Sequence, residues 1–201
     1  KLNLPGIETQ LKMAPPFREQ LLERYKEERK SAKPAAVLAL FYPSNEGETL
    51  LVLIVRKSYE GVHSAQVGFP GGKPEPEDAS MKATALRETF EEIGVSSDKI
   101  RVLRELTSLY IPPSNFLVSP FLGIAKTPLE FTLQKSEVDA VIEVPLTEFL
   151  NKNSEVFSKV LVADGKFCEV PAFKLKEHIV WGATAMMLIE IKTMINQVLK
   201  K

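Results

Sequence analysis

The chain has 201 residues, with 26 Lys and Arg against 26 Asp and Glu, two His, one Cys and 44% hydrophobic residues. This is the composition of an ordinary soluble globular protein, long enough for one domain whose core buries about 70% of the surface the unfolded chain would expose. Zero net charge argues against nucleic acid as a partner, because backbone phosphates call for a basic excess. No apolar run approaches the roughly 18 residues of a membrane span, and residues 1–11 lack the apolar stretch of a signal peptide, so a cytoplasmic protein without a membrane partner is expected.

In chain order, residues 1–34 read as an N-terminal extension and residues 35–201 as a single domain. Pro15 and Pro16 precede residues 17–32, where Phe17, Leu21, Leu22 and Tyr25 recur at helical spacing, so an amphipathic helix is expected there. Through Lys33 that segment holds six basic and four acidic residues, which reads as a solvated face. Residues 36–42 and 50–55 are β-rich runs flanking Pro43-Ser44-Asn45-Glu46-Gly47, a hairpin pattern. Periodicity then vanishes over residues 58–78, where Gly and Pro accumulate in a long loop of the kind that often carries function. Helical spacing returns over about residues 79–93 and stops at Gly94, in the position of a C-terminal cap. Strand-like runs follow at 100–110, 116–124, 140–144, 156–162, 167–173 and 178–181. A closing helix over about residues 183–199 carries Met186, Met187, Ile191, Met194, Ile195 and Val198 at helical spacing. Cys168 has no second Cys for a disulfide or a cysteine zinc site, and is expected to be a small buried hydrophobe. The element order is that of an α+β domain.

Residues 71–95, GGKPEPEDASMKATALRETFEEIGV, carry the chemistry. At about 100° per residue, Ala79, Ala83, Leu86, Phe90 and Ile93 fall on one side of a helix, expected to face the core, and Glu88, Glu91 and Glu92 on the other. Between Glu75 and Glu92 there are six acidic residues against Lys82 and Arg87, so a neutral chain concentrates negative charge here. Like charges three and four apart repel, and two readings are open: a merely solvated face, or a cation site. The Pro70-Gly71-Gly72 turn favours the second, since glycine lets the backbone approach closely and offer a carbonyl oxygen. Arg87 can pair with Glu91 four residues on. Carboxylates plus a carbonyl suit Mg²⁺ or Mn²⁺, with a substrate diphosphate completing the shell; the ligand spacing of a calcium-binding EF-hand loop is absent.

Gly72 with Arg87-Glu88-Thr89-Phe90-Glu91-Glu92-Ile93-Gly94-Val95 resembles the Nudix box, G-x5-E-x7-R-E-U-x-E-E-x-G-U, where U is a bulky aliphatic. Asp78 takes the first acidic position, followed by eight residues rather than seven, and Thr89 stands where an aliphatic is expected. The resemblance to Nudix hydrolases implies an α/β/α sandwich around a mixed sheet, with the 79–93 helix catalytic. It also implies hydrolysis of a nucleoside diphosphate linked to another moiety. Carried onto this chain, Arg87, Glu88, Glu91 and Glu92 would be catalytic. Glu88 and Glu92 would be principal metal ligands, joined by Glu91 and the Gly72 backbone, and Arg87 would orient a carboxylate. The metal would act as a Lewis acid and help generate hydroxide, with a carboxylate as general base, for which Glu137 is a loop candidate.

A second resemblance narrows the substrate. Leu53-Ile54-Val55-Arg56 through Phe69-Pro70-Gly71-Gly72 is similar to the signature that precedes the box in coenzyme A diphosphatases. Lys57, Gly61 and Ala65 replace that subfamily's Ser, second Arg and Gly, while the extra residue before Arg87 is shared with it. Glu137-Val138 to Pro145-Leu146 and Trp181-Gly182-Ala183-Thr184-Ala185 are similar to its closing segments. Arg56, with Lys57 beside it, could answer substrate phosphate. The apolar loop 109–116 could line a groove for a pantetheine arm, and His63 could contact phosphate. His178 reads as structural. These features imply a Mg²⁺- or Mn²⁺-dependent coenzyme A diphosphatase yielding 3′,5′-ADP and 4′-phosphopantetheine, acting on a small molecule, with a homodimer as the assembly kept open. The alternatives are a Nudix hydrolase of another nucleoside diphosphate derivative such as ADP-ribose, and a non-catalytic Nudix-fold binding module. Retention of all four box residues speaks against the last.

Overall fold

The computed structural model describes residues 3–57, 67–162 and 165–200. Its centre is β1 (Lys33–Pro43), an almost uninterrupted apolar run that pairs in parallel with β7 (Phe116–Ala125) and antiparallel with β2 (Thr49–Arg56). Side chains alternate along a strand. Leu38, Leu40 and Tyr42 therefore pack with Ala85 and Ile93 of α3 (Met81–Ile93), while Ala35, Ala39 and Phe41 pack with Met186, Leu188 and Ile191 of α5 (Gly182–Leu199). A sheet buried on both faces divides its apolar interior into two clusters, in place of the single core that length alone suggested.

Around this pair the mixed sheet is completed by β3 (Val67–Gly68), β4 (Gly71–Gly72), β5 (Ile100–Glu105), β6 (Leu109–Ile111) and β8 (Val138–Pro145). A second, antiparallel sheet comprises β9 (Glu155–Leu161), β10 (Phe167–Leu175) and β11 (His178–Trp181). The remaining helices are α1 (Gly6–Gln10), α2 (Arg18–Arg24) and α4 (Leu146–Leu150). The expected hairpin is present, but β1 and β2 pair only next to their turn, at Phe41 with Leu51, Tyr42 with Leu50 and Pro43 with Thr49. Beyond that they splay, and β4 joins β1 through Ala36 with Gly72 and Val37 with Gly71. The splay brings the Gly-Gly turn alongside the middle of the sheet.

Four expectations change. The 17–32 helix ends at Arg24 and resumes only as a 3-10 turn over Glu28–Ser31, because the apolar spacing stops at Tyr25 and the charged residues after it have no face to bury. The 100–110 run breaks into β5 and β6 across residues 106–108, with a bulge between Val102 and Arg104. The catalytic-type helix starts at Met81, not Ala79, because the Ser80 side chain caps it by accepting from Ala83 N. Cys168 is half-buried, on the middle strand of the three-stranded sheet, and not a core residue. His63, Gly61 and Ala65 lie outside the described residues.

The N-terminal residues pack into this architecture: Met13 joins the α5-side core, and Gln10 is fully buried. Their anchor is Glu190 of α5, also fully buried, whose carboxylate accepts from Gln10 Nε2 at 2.8 Å, Thr107 Oγ1 at 2.5 Å and Gly6 N at 3.2 Å. Glu190→Ala leaves buried donors without an acceptor, each costing about 1–3 kcal/mol. The expected result is a loss of about 2–5 kcal/mol in urea unfolding, much less for Glu190→Gln; equal losses in the two would show the network to be unimportant. Among the described residues no helix is long and apolar enough to cross a membrane.

Candidate active site

Helix α3 presents its glutamates differently from the simple wheel. Thr84, Ala85, Thr89, Glu92 and Ile93 are buried, and Phe90, expected in the core, is 55% exposed. The helix is rotated because Thr89 satisfies its hydroxyl internally, donating to Ala85 O at 2.7 Å, so a small polar residue occupies the core-facing stripe beside Ala85. Glu92 thus lies on the core-facing side, not opposite it. Side-chain exposure rises across the helix from 1% at Glu92 to 14% at Glu88 and 49% at Glu91.

The turn in front is shaped to these carboxylates. Gly71 has φ 151°, and a Cβ there would lie 2.2 Å from Ala36 O; its own N–H donates to Glu92 Oε2 at 2.8 Å. A Cβ on Gly72 would lie 2.4 Å from Glu88 Oε1, so the Glu88 carboxylate occupies the space a side chain would need. Arg56, at the end of β2, places Nη2 3.1 Å from Glu92 Oε1 and donates from Nη1 to Gly71 O at 3.2 Å. The sequence marks Arg56 for substrate phosphate; the structure shows it clamping Glu92 to the glycine turn. Lys57 donates to Lys135 O at 3.0 Å.

Arg87 is the hub. Nε and Nη2 donate to the Asp78 carboxylate at 3.0–3.2 Å, Nη1 to Glu91 Oε2 at 2.7 Å, and Nη2 also to Glu88 Oε1 at 3.2 Å and Lys73 O at 2.8 Å. The bidentate pairing brings Asp78 to Arg87 across the extra residue, and it holds the Asp78 carboxyl down at about 2. Asp78 was legible only by its spacing in the box. Glu137 is exposed at the start of β8, and its backbone oxygen accepts from Lys57 N at 2.8 Å. Its charge is close enough to push up both Glu88 and Glu92. The structure therefore gathers Gly72, Arg56, Arg87, Glu88, Glu91, Glu92 and Glu137 around one turn. Loop 109–116 behaves differently: Leu109 and Tyr110 are core residues, which leaves Ile111 and Phe116 as its half-buried apolar surface. A surface cleft lined by Tyr42, Leu50, Pro128 and Glu143 lies at the far end of β1, away from the carboxylates.

Burial raises Glu92 from 4.5 to about 7, against the pull of Arg56 and the Gly71 N–H, and burial also raises Glu88. Glu92 Oε1 is buried without a hydrogen-bond donor among the described residues, since Arg56 is near but off axis. An orphaned carboxylate oxygen beside a second carboxylate is what a hard cation satisfies. Among the described residues no group of three or more His, Cys, Asp or Glu could hold a metal alone. Mg²⁺ usually binds through one or two carboxylates and completes its shell with water and substrate phosphate.

The raised Glu92 has a stability consequence. Below the unfolded value of 4.5 the carboxyl is neutral in both states; between 4.5 and about 7 only the unfolded chain releases the proton, so stability falls as pH rises through that window. Denaturant unfolding with chelator at pH 5 and pH 8 is expected to differ by on the order of 2–3 kcal/mol from this group. Glu92→Gln flattens that part of the profile, and an unchanged profile in the variant would refute the assignment.

Residues 32–164 match the NUDIX domain family. The chain is 34% identical over 141 residues to an uncharacterized Nudix hydrolase, NudL, of Photorhabdus laumondii, covering 70% of this chain and 74% of that one. It is 33% identical over 174 residues to Nudix hydrolase 22, chloroplastic, of Arabidopsis thaliana, covering 82% of this chain and 56% of that one. Among solved structures, a MutT/nudix family protein from Enterococcus faecalis aligns with TM-score 0.56 and 16% identity, over 100% of this chain and 76% of that one. A Nudix hydrolase from M. smegmatis, RenU, aligns with TM-score 0.53 and 17% identity, over 83% and 88%. These two likenesses establish the fold, the α/β/α sandwich with a mixed sheet. Family model, relatives and fold agree: this chain belongs to the Nudix family and is an enzyme, a Nudix hydrolase.

Proposed function

We propose that this Nudix hydrolase is a Mg²⁺- or Mn²⁺-dependent coenzyme A diphosphatase, cleaving the diphosphate with water to 3′,5′-ADP and 4′-phosphopantetheine. The observation that carries the reading is the turn from Phe69 to Gly72, which agrees in spacing with the coenzyme A signature and seats its glycines against Glu92 and Glu88. Arg56, the other matching position of that signature, contacts Glu92 and the Gly71 carbonyl. Balanced charge accords with a small-molecule substrate and no nucleic acid, and a single free thiol with the cytoplasm.

Glu88 and Glu92 would hold the metal, with the Gly72 carbonyl and Glu91 as further oxygens. When bound, the cation supplies Lewis acidity toward the diphosphate and lowers the pKa of a bound water. The chain's own residues do the rest. Arg87 fixes the rotamers of Glu88 and Glu91 and, through Lys73 O, the segment that leaves the glycine turn. Arg56 keeps Glu92 in place and turns its remaining donors toward substrate oxygens. Glu137, exposed beside both glutamates, accepts the proton of the attacking water as general base. Incubation with coenzyme A and Mg²⁺ is expected to release 3′,5′-ADP; absence of that product together with rapid turnover of ADP-ribose would sink the coenzyme A reading. Hydrolysis of another nucleoside diphosphate derivative is the second reading, favoured by Lys57, Gly61 and Ala65 at signature positions.

A further inference from the structure

The N-terminal segment holds three guanidinium groups without an ion pair among the described residues, and two of them meet at one tyrosine. Its surface ion pairs join Lys26 to Glu23 and Lys30 to Glu27. Arg18, Arg24 and Arg29 have no such partner among the described residues; Arg24 lies over its neighbour Tyr25 at 5.6 Å, and the other two meet at Tyr110. Arg18 is 9% exposed, donates from Nη2 to Tyr110 O at 3.0 Å, and buries Nε without any acceptor. Arg29 stands over the Tyr110 ring at 5.4 Å, close enough that its charge, after burial, further lowers the Arg18 pKa. A guanidinium cannot shed its proton near neutrality, so a buried arginine needs a counter-charge. A backbone carbonyl and a π face are weak substitutes, and bringing a second arginine to the same tyrosine deepens the deficit.

The cluster is continuous with the active site. The loop after Tyr110 folds back through Asn115, whose side chain accepts from Tyr110 OH at 3.0 Å and donates to Ser31 O at 3.4 Å. It leads into Phe116, over whose ring Lys73 Nζ lies at 5.5 Å, and the Lys73 carbonyl is held by Arg87. Lys73 is likewise a cation answered by a ring and, among the described residues, by no carboxylate.

The geometry points to a phosphate monoester subsite formed by Arg18 and Arg29 at Tyr110, linked through Asn115 and Phe116 to Lys73. Two planar guanidiniums offer several donors to one small oxyanion, and a dianion with three terminal oxygens answers both charges where a carboxylate would answer one. The phosphate has two sources. It is either the second, ribose-borne phosphate of the substrate, which rests on the coenzyme A reading, or free inorganic phosphate, which does not.

The test is calorimetric titration of the full chain with 3′,5′-ADP, 5′-AMP and inorganic phosphate, in the native protein, Arg29→Gln and Arg18→Lys. Arg29 is exposed, so its variant folds whatever becomes of the Arg18 variant. If the phosphate is substrate-borne, 3′,5′-ADP binds at least about ten-fold tighter than 5′-AMP and Arg29→Gln erases the difference. If it is free, the two nucleotides bind alike, while inorganic phosphate binds the native protein and about ten-fold more weakly to Arg29→Gln. Indifference of all three ligands to Arg29→Gln overturns the subsite. None of these readouts requires turnover, so a protein that fails to hydrolyse coenzyme A still decides the question.

Discussion

Glu88→Gln and Glu92→Gln are each expected to lower kcat by about a thousand-fold or more, with the fold retained. At about 1.4 kcal/mol per decade this asks each carboxylate for roughly 4 kcal/mol of transition-state stabilisation, within what a metal-held charge clamp on a diphosphate supplies. The two substitutions keep shape and remove charge. In Glu92→Gln the amide oxygen can still accept from Gly71 N, but its NH₂ then faces Arg56 and no anion remains at the buried position. In Glu88→Gln the side chain still fills the space over Gly72. Glu91→Gln is expected to cost only about ten-fold, since Glu91 is half-exposed and its nearest partner is Arg87. Glu137→Gln is expected to cost about a hundred-fold, with a shifted acid limb of the pH–rate profile, if it takes the water's proton. Steady-state kinetics with coenzyme A and Mg²⁺, alongside thermal unfolding, separates these cases. Native kcat in both Glu88→Gln and Glu92→Gln would remove these residues from the reaction.

How much of this was legible in advance depended on how far apart the partners lie along the chain. The box from Arg87 to Val95 is local, and one helix carries its register, so the pairing of Arg87 with Glu91 and the stop at Gly94 follow from spacing alone. The rotation of that helix was not legible, because a wheel drawn on hydrophobicity sends Phe90 inward and Thr89 outward. A threonine at a box position meant for an aliphatic was the available signal, and its internal hydrogen bond to Ala85 O is the reason. The double duty of Arg56 depends on β1 and β2 splaying to admit a two-residue strand, too short to leave a pattern. Glu190 is a lone carboxylate in a largely apolar helix, and its partner Gln10 stands 180 residues away, a separation over which no periodicity speaks. The same holds for Lys192, buried with its ammonium on Asn151 O, Ser154 Oγ and Glu155. Buried charges closed by distant partners are where local reading ends.

Arg87→Ala is expected to damage stability and catalysis together, and Arg87→Lys to part them. In the native protein a single guanidinium answers Asp78, Glu88, Glu91 and the Lys73 carbonyl. Removing it leaves the Asp78 side chain, 6% exposed, and the half-buried Glu88 as neighbouring anions without their cation. Breaking a buried pair costs about 3–5 kcal/mol; Arg87 is itself 20% exposed, so with solvent screening about 2–3 kcal/mol is expected. The pH signature is distinct. Asp78 is held at about 2 by Arg87, so its contribution is present above the unfolded value of 3.8 and disappears as pH falls toward 2; in Arg87→Ala that acid-side loss is absent. Arg87→Lys restores a positive charge, and with it much of the stability. An ammonium on a flexible stem cannot make the bidentate bond to Asp78 while also reaching Glu88, Glu91 and Lys73 O. The glutamates then keep their charge but lose their fixed orientation, and kcat is expected to fall by about 10–100-fold, the usual penalty for a lost supporting contact at a metal site. A lysine variant with native kcat would mean that only the charge of Arg87 matters, and that the fork of hydrogen bonds from Asp78 to Glu91 does not position the catalytic carboxylates.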